Sequence, residues 1–370
     1  MRIGIDATPM AGDRGGVGWH TYYLMQSMLA LKQGVEMVAY LRPGSTPPDE
    51  VRAWIGGECL RWVESSKWAM RWRGTADRLD LYHGTNFRMH TTGRYGGVVT
   101  IHDLWLERFP QYSLKLLGQW LSSRKTKCTA RSARKVITVS EFSAGELTEL
   151  YGIPRRQITV IPNGVADDFR PCRDDGAMAA LRHRIELTPE RYILFIGGAD
   201  PRKNHRVFLE AAALVRKRLQ GRTLVLVGST THPFGSYEAT AKSFGLEQQV
   251  LFPGRLPMAD LRLLYSYADM FVFPSLYEGF GMPVLEAMAC GAPVITSRTT
   301  ALGEVAGDAA LLIDPAKASE LAEAMVAILE NESLGDSLKA KGLDRIKRYT
   351  WKRAATETLM LYRELCRDDR

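Results

Sequence analysis

Two carboxylates set around a glycine loop carry the most specific chemistry in this chain. Glu278 and Glu286 stand with seven residues between them, on either side of Gly279, Gly281 and Pro283. An ionised carboxylate only accepts hydrogen bonds, so a pair in this position is aimed at hydroxyl groups. The preceding apolar run, Met270–Phe273, is short enough for a buried strand, and Pro283 suits a first helical position. A helix opening there, with Glu286 in its first turn, turns free N–H groups and a positive dipole end back on the loop, which suits a phosphate. Hydroxyls on both sides of a diphosphate describe a nucleotide sugar. An ordinary parallel-strand crossover with a solvated Glu at each end explains the bare spacing equally well.

Three other groups could join such a site. Arg202 and Lys203 follow the apolar run Tyr192–Ile196 and the turn Gly197-Gly-Ala-Asp-Pro201, adjacent cations where a diphosphate needs its charge neutralised. Alone, such a pair is usually plain surface. Near the start, Arg2–Asp6, the loop Gly12–Gly18 and the apolar-periodic Tyr22–Leu31 give strand, glycine loop and helix. The glycine spacing is not G-x-G-x-x-G, which disfavours a dinucleotide oxidoreductase. His83 and His102 close strand-like runs, and ligands of parallel sheets sit beyond such ends. A single histidine there is more often structural.

The elements that would position these groups alternate along the chain. Val35–Tyr40, Asp80–His83, Val98–His102 and Lys135–Val139 read as strands, and Leu114–Arg134 as a long basic helix. Ser143-Ala-Gly-Glu146 fits a capping box opening the next helix. Ile161-Pro-Asn-Gly-Val165 and the polar stretch Ala166–Arg191 read as a passage to a second series: Tyr192–Ile196, Thr223–Val227 with Gly228, Val250–Pro257, Met270–Phe273, Pro293–Ile295 and Ala310–Ile313. Helices are expected at Ala259–Tyr267, Ala318–Glu330 and from Trp351 to about Arg367. Such alternation predicts an α/β fold of doubly wound parallel sheets, and 370 residues exceed a single core.

The formal charge is +8, with 23 Lys+Arg against 16 Asp+Glu in residues 1–170 and 26 against 25 in the remainder. Seven of the eight tryptophans also fall in the first 120 residues, among them Trp54, Trp62, Trp68 and Trp72, interleaved with Lys67, Arg71 and Arg73. Indoles with basic side chains suit a surface facing anionic lipid, and a core with a solvated basic rim accounts for them equally. The helix bearing Lys115, Arg124, Lys125, Lys127, Arg131 and Arg134 lacks any nucleic-acid-binding signature around it, so nucleic acid is not an expected partner. Five separated cysteines without a CxxC read as reduced packing residues. The opening strand, with no leader and no apolar run near 18 residues, predicts a cytoplasmic protein, at most peripheral on the inner membrane face.

Glu278-Gly-Phe-Gly-Met-Pro-Val-Leu-Glu286-Ala-Met-Ala-Cys-Gly-Ala-Pro-Val-Ile295 closely resembles the signature of the retaining glycosyltransferase family 4, and the resemblance extends over essentially the whole chain. It implies the GT-B architecture: two Rossmann-like doubly wound domains facing each other across a cleft, with residues 1–170 binding acceptor, 171–350 binding donor, and a helix of 351–370 crossing back to the first. By the same resemblance, Glu278 meets the donor sugar and Glu286 the ribose diol, and Arg202 and Lys203 clamp the diphosphate. His102 contacts the sugar near the bond being broken. Gly15 and Gly16 allow close backbone approach, and Gly228, Arg255, Leu256, Gly279, Phe280, Gly281, Met282 and Pro283 complete the donor site. His102, Glu278, Arg202 and Lys203 are the expected catalytic set. No cofactor is expected, and with no Asp-x-Asp pair, no metal. The overall style is similar to bacterial mannosyl- and related hexosyltransferases of surface polysaccharides, which implies GDP-mannose and a saccharide or lipid-linked saccharide acceptor. A sugar-nucleotide epimerase on the same fold and a non-catalytic nucleotide-sugar-binding module are the competing readings.

Overall fold

The structure is a computed structural model that describes residues 1–370 except 13, 48, 53–58, 114–115 and 368–370. Trp54, Lys115 and the Asp13 position of the first glycine loop lie outside the described residues. The contacts divide the chain into two units, Met1–Gly164 with Tyr349–Arg370, and Val165–Arg348.

The first unit is built on seven strands, β1 (Arg2–Asp6), β2 (Glu36–Leu41), β3 (Leu60–Glu64), β4 (Leu81–Gly84), β5 (Gly97–Thr100), β6 (Lys135–Thr138) and β7 (Ile158–Val160). All pair in parallel, in the order β3-β2-β1-β4-β5-β6-β7. The reversal beside β1 is the doubly wound pattern, and crossover helices cover both faces. The last helix, Trp351–Arg367, returns to pack on Gly16–Ala30. It buries one apolar stripe, including Ala355, Leu359 and Tyr362. Gly164 makes the return tight: a Cβ there would lie 2.1 Å from the Trp351 amide nitrogen.

The second unit contains β8 (Tyr192–Ile196), β9 (Thr223–Val227), a small hairpin of β10 (Thr231–His232) and β11 (Gly235–Ser236), then β12 (Val250–Gly254), β13 (Met270–Phe273), β14 (Val294–Ser297) and β15 (Leu311–Ile313). Six of these form a parallel sheet ordered β12-β9-β8-β13-β14-β15. Its central strands are mainly apolar and almost entirely buried, as expected of a sheet covered on both faces. The order reverses at β8 and β13, so the loops leaving those two strands meet at the switch point where ligands of such sheets bind.

Several local expectations are corrected. The cap of helix Glu141–Tyr151 is Ser140, whose hydroxyl accepts from the Ser143 amide at 3.0 Å, so Ser143 lies inside the helix. The stretch taken as a polar passage contains a helix, Asp175–Ile185, capped by Asp174 and anchored by buried Met178 and Leu181. β5 ends at Thr100, which leaves His102 in the loop beyond the strand. The five cysteines are free, but Cys59 and Cys128 are exposed and only Cys290 is fully buried, so packing does not account for all of them.

Candidate active site

In the second unit the loops after β8 and β13 are locked together. Asp200 accepts from the Arg202 amide at 2.9 Å and opens a single 3-10 turn, Pro201–Lys203. Asn204 closes the turn with φ 58°, a conformation asparagine tolerates. Its amide donates to the carbonyls of Pro274 (3.1 Å) and Pro315 (2.7 Å). The Leu276 amide donates to Arg202 carbonyl oxygen at 2.9 Å. These bonds hold Lys203 Nζ 2.6 Å from Glu278 Oε1 and 5.0 Å from the Phe273 ring centroid. Arg202 Nε stands 3.7 Å from Asp200 Oδ2.

The Lys203–Glu278 pair is almost fully enclosed, with 13% and 9% of the side chains exposed. Burial opposes ionisation of Glu278, but Lys203 and Arg202 outweigh it and hold the carboxyl below its ordinary range. Burial likewise lowers Lys203, against the pull of Glu278. Each is the other's partner, and the pairing keeps Glu278 a carboxylate.

Glycines permit this closeness. Gly228 has φ 135°, and a Cβ on it would lie 2.3 Å from the Gly198 amide nitrogen, so the loops after β8 and β9 touch through bare backbone. Gly281, at φ 105°, is the N-cap of helix Met282–Ala289, and a Cβ there would lie 2.5 Å from Leu302 Cδ2. The helix begins at Met282, so Glu286 is its fifth residue, at the start of the second turn and one position deeper than expected. Glu286 accepts from the Tyr265 hydroxyl at 3.1 Å, and burial pushes its carboxyl up to about 7. Gly279 and Phe280 are buried in the loop, Met282 and Pro283 are partly buried, and Arg255 and Leu256 follow the end of β12 with Arg255 exposed.

The first unit offers a different set of groups. His102 Nε2 lies 2.9 Å from the Thr85 carbonyl, which can only accept, so the neutral ring carries its lone pair on Nδ1. Burial lowers the His102 pKa despite that bond and the nearby Asp103. His20, which the sequence reading passed over, packs edge-on against it with ring centroids 4.6 Å apart. His20 Nδ1 lies 2.7 Å from Asn163 Oδ1, and its buried Nε2 has no partner among the described residues. A contact across 143 residues has no local signature. His83 is fully buried, with both ring nitrogens engaged, Nδ1 to the Tyr362 hydroxyl (2.5 Å) and Nε2 to Thr100 Oγ1 (2.7 Å). Its role is structural. Gly15 and Gly16 are exposed at the start of helix Gly16–Ala30, and among the described residues a Cβ on either would meet nothing within 4 Å. Gly18 is the packing glycine of this loop, since a Cβ would lie 2.5 Å from the Pro9 carbonyl oxygen.

Two family models divide the chain, Glycosyltransferase Family 4 over residues 14–169 and Glycosyl transferases group 1 over residues 180–345. The chain is 33% identical over 301 residues to the O-antigen chain mannosyltransferase B of Escherichia coli, covering 80% of this chain and 77% of that protein. It belongs to glycosyltransferase family 4. Sucrose-phosphate synthase from Thermosynechococcus elongatus has the same GT-B fold, with a TM-score of 0.78 over 98% of each chain at 22% identity. Anabaena HepE, solved in complex with UDP-glucose, has a TM-score of 0.72 at 17% identity over 97% of this chain and 99% of its own.

One further feature of this glycosyltransferase was not anticipated. A cavity of about 450 Å³ opens in the first unit beside the His102–Asp103 loop. Asn86, Phe87, Asp103, Trp105, Gln119 and Ser122 are among its lining residues. Its lining is held together by Arg88, which donates to Ser122 carbonyl oxygen at 2.7 Å, and by Tyr151, whose hydroxyl donates to Glu107 at 2.7 Å.

Proposed function

We propose that this glycosyltransferase moves a hexose, mannose from GDP-mannose, to a saccharide or lipid-linked saccharide acceptor, with retention at the anomeric carbon and without a metal ion. The pathway we infer is surface polysaccharide synthesis, supported by the 33% identity to an O-antigen mannosyltransferase. The observation that carries the reading is the enclosed Lys203–Glu278 pair at the sheet's switch point, with Arg202 on the same turn.

As the glycosidic bond breaks, negative charge grows on the departing diphosphate and the sugar gains oxocarbenium character. An ammonium has three donors, and one on Lys203 is taken by Glu278. The other two, with the Arg202 guanidinium and the first amides of helix Met282–Ala289, would meet diphosphate oxygens. Glu278, held as an acceptor by Lys203, would take a sugar hydroxyl, and Glu286 the ribose diol. His102 would meet the sugar, and departing phosphate oxygen would take the acceptor's proton. Gly15 and Gly16 fit a close backbone approach, since the protein's own packing does not require them to lack a Cβ. The cavity beside His102 and Asp103 suits the acceptor saccharide.

A transfer assay in EDTA tests this, with GDP-mannose, UDP-glucose and ADP-glucose each offered to a mannose-containing acceptor. The expected result is acceptor-dependent release of GDP and a product with the donor's own anomeric configuration. Consumption of donor without acceptor, giving an epimer, would replace this reading with that of an epimerase.

A further inference from the structure

Two helices of the first unit, Lys67–Ala76 and Leu116–Ser132, cover the same face of its sheet. Met70 of the first packs with Val38, Tyr40 and Tyr82, and Ala130 of the second with Val99 and Val136. Paired residues of parallel strands share a face, and Tyr82 is opposite Gly97, two residues before Val99. Met89 packs against both clusters.

The outward sides of these helices are unlike the rest of the surface. Trp68 is 79% exposed, Trp72 75% and Trp120 55%, with Leu121, next to Trp120 in sequence, at 44%. Trp68 and Trp72 are four residues apart and so share one stripe, while the buried Met70 and Gly74 form the opposite one. Rolling the helix to hide the indoles is blocked: a Cβ at Gly74 would lie 1.8 Å from the Thr92 carbonyl oxygen, so the backbones are already in contact. The two helices contain seven Lys and Arg residues and not one carboxylate. Arg73 turns to Asp77 and Lys127 to the Leu150 carbonyl, whereas Lys67, Arg71, Arg124 and Lys125 are exposed. Arg71 lies over the Trp68 ring at 5.5 Å and Arg124 over Trp120 at 5.6 Å. The third helix on this face, Glu141–Tyr151, has its glutamates paired with Arg108 and Arg155.

We propose that this face of the first unit seats on an anionic lipid surface, with Trp68, Trp72 and Trp120 at headgroup depth and the exposed cations against lipid phosphates. Indoles are stable where an apolar body and a polar edge meet different media, and basic side chains around them select negative headgroups. A patch of bare indoles on a monomer marks an interaction site. The complete absence of acidic residues from both helices favours a uniformly negative partner over a protein surface of mixed charge.

The test is sedimentation of the full chain with vesicles of phosphatidylcholine alone and of phosphatidylcholine with phosphatidylglycerol, at low and high salt. The purified protein should pellet only with the anionic vesicles, and less as salt rises. Trp68→Ser with Trp72→Ser should weaken binding at least tenfold, and Lys67→Glu with Arg71→Glu should abolish it, with circular dichroism and transfer to a soluble acceptor unchanged. Protein that stays in the supernatant at low salt, or a double-serine variant that pellets like wild type, overturns the proposal. Self-association without lipid, removed by the same substitutions, would reassign the face to a protein interface. The sugar-transfer reading stands apart from each of these outcomes, because the soluble-acceptor assay needs no membrane.

Discussion

The two units solve opposite problems with the same fold. In the second, the candidate residues are locked to one another: Lys203 to Glu278, Asn204 to two carbonyls, Gly228 against Gly198 and Gly281 against Leu302. In the first, the candidate glycines face open space, and the groups around His102 are histidines held neutral by burial. The second unit therefore presents fixed charge, as a site that stabilises a developing anion requires. The first presents neutral imidazoles and a cavity lined by polar and aromatic side chains.

The sharpest way to break this contrast is to remove the fixed charge. Lys203→Ala leaves the Glu278 carboxylate enclosed without its partner, which should cost about 3–5 kcal/mol of stability. Pairing it with Glu278→Gln should restore most of that loss in a denaturant titration. Turnover should stay down roughly 100-fold in both variants, the scale of a lost preorganised donor. Recovery of activity along with stability would show that the pair serves only the fold.

The glycines give the next largest effect and divide the units directly. Gly281→Ala combines φ 105° with a Cβ 2.5 Å from Leu302 Cδ2 and should destabilise by roughly 1–3 kcal/mol. Gly16→Ala meets no protein atom and should leave stability within about 0.5 kcal/mol while turnover falls. Unchanged turnover in Gly16→Ala would remove the first loop from the site.

Two pH effects follow single buried groups. Glu286 titrates near 7 in the folded protein, and a diol needs a carboxylate that accepts. Affinity for the nucleoside diphosphate should therefore rise as pH increases through about 7, and Glu286→Gln should show no such rise in calorimetry. His83 runs the other way in stability. Its folded pKa is depressed from 6.5 to about 3, so the unfolded chain binds the proton first. Its contribution is complete above about 6.5 and is lost as pH falls toward 3, with a slope near 1.4 kcal/mol per pH unit. His83→Gln should flatten the stability curve across that window.

The same contrast explains what could be read in advance. Tyr192–Ile196, Thr223–Val227 and Met270–Phe273 are largely apolar runs, each closed by a glycine or proline, so their bounds were legible. β3 was not, because Leu60–Glu64 mixes charged and apolar residues along a sheet edge where only Leu60 is buried. Helix Asp175–Ile185 was hidden by its polar surface, with buried Met178 and Leu181 its main inward anchors. Pro283 marked the helix opening, yet the start at Met282 depends on Gly281 packing against Leu302, a contact remote in sequence. The Lys203–Glu278 bond and the His20–Asn163 bond join residues 75 and 143 positions apart, and only the sheet order brings them together.

The most direct measurement is thermal unfolding of the whole chain with GDP, UDP and ADP in EDTA, wild type beside Lys203→Ala/Glu278→Gln. A ligand at 100 times its dissociation constant adds about 2.7 kcal/mol, several degrees for domains of this size. One nucleoside diphosphate should raise the wild-type midpoint by that amount and leave the double variant unmoved. Equal stabilisation of both proteins, or of neither, would contradict a diphosphate clamp built on Lys203.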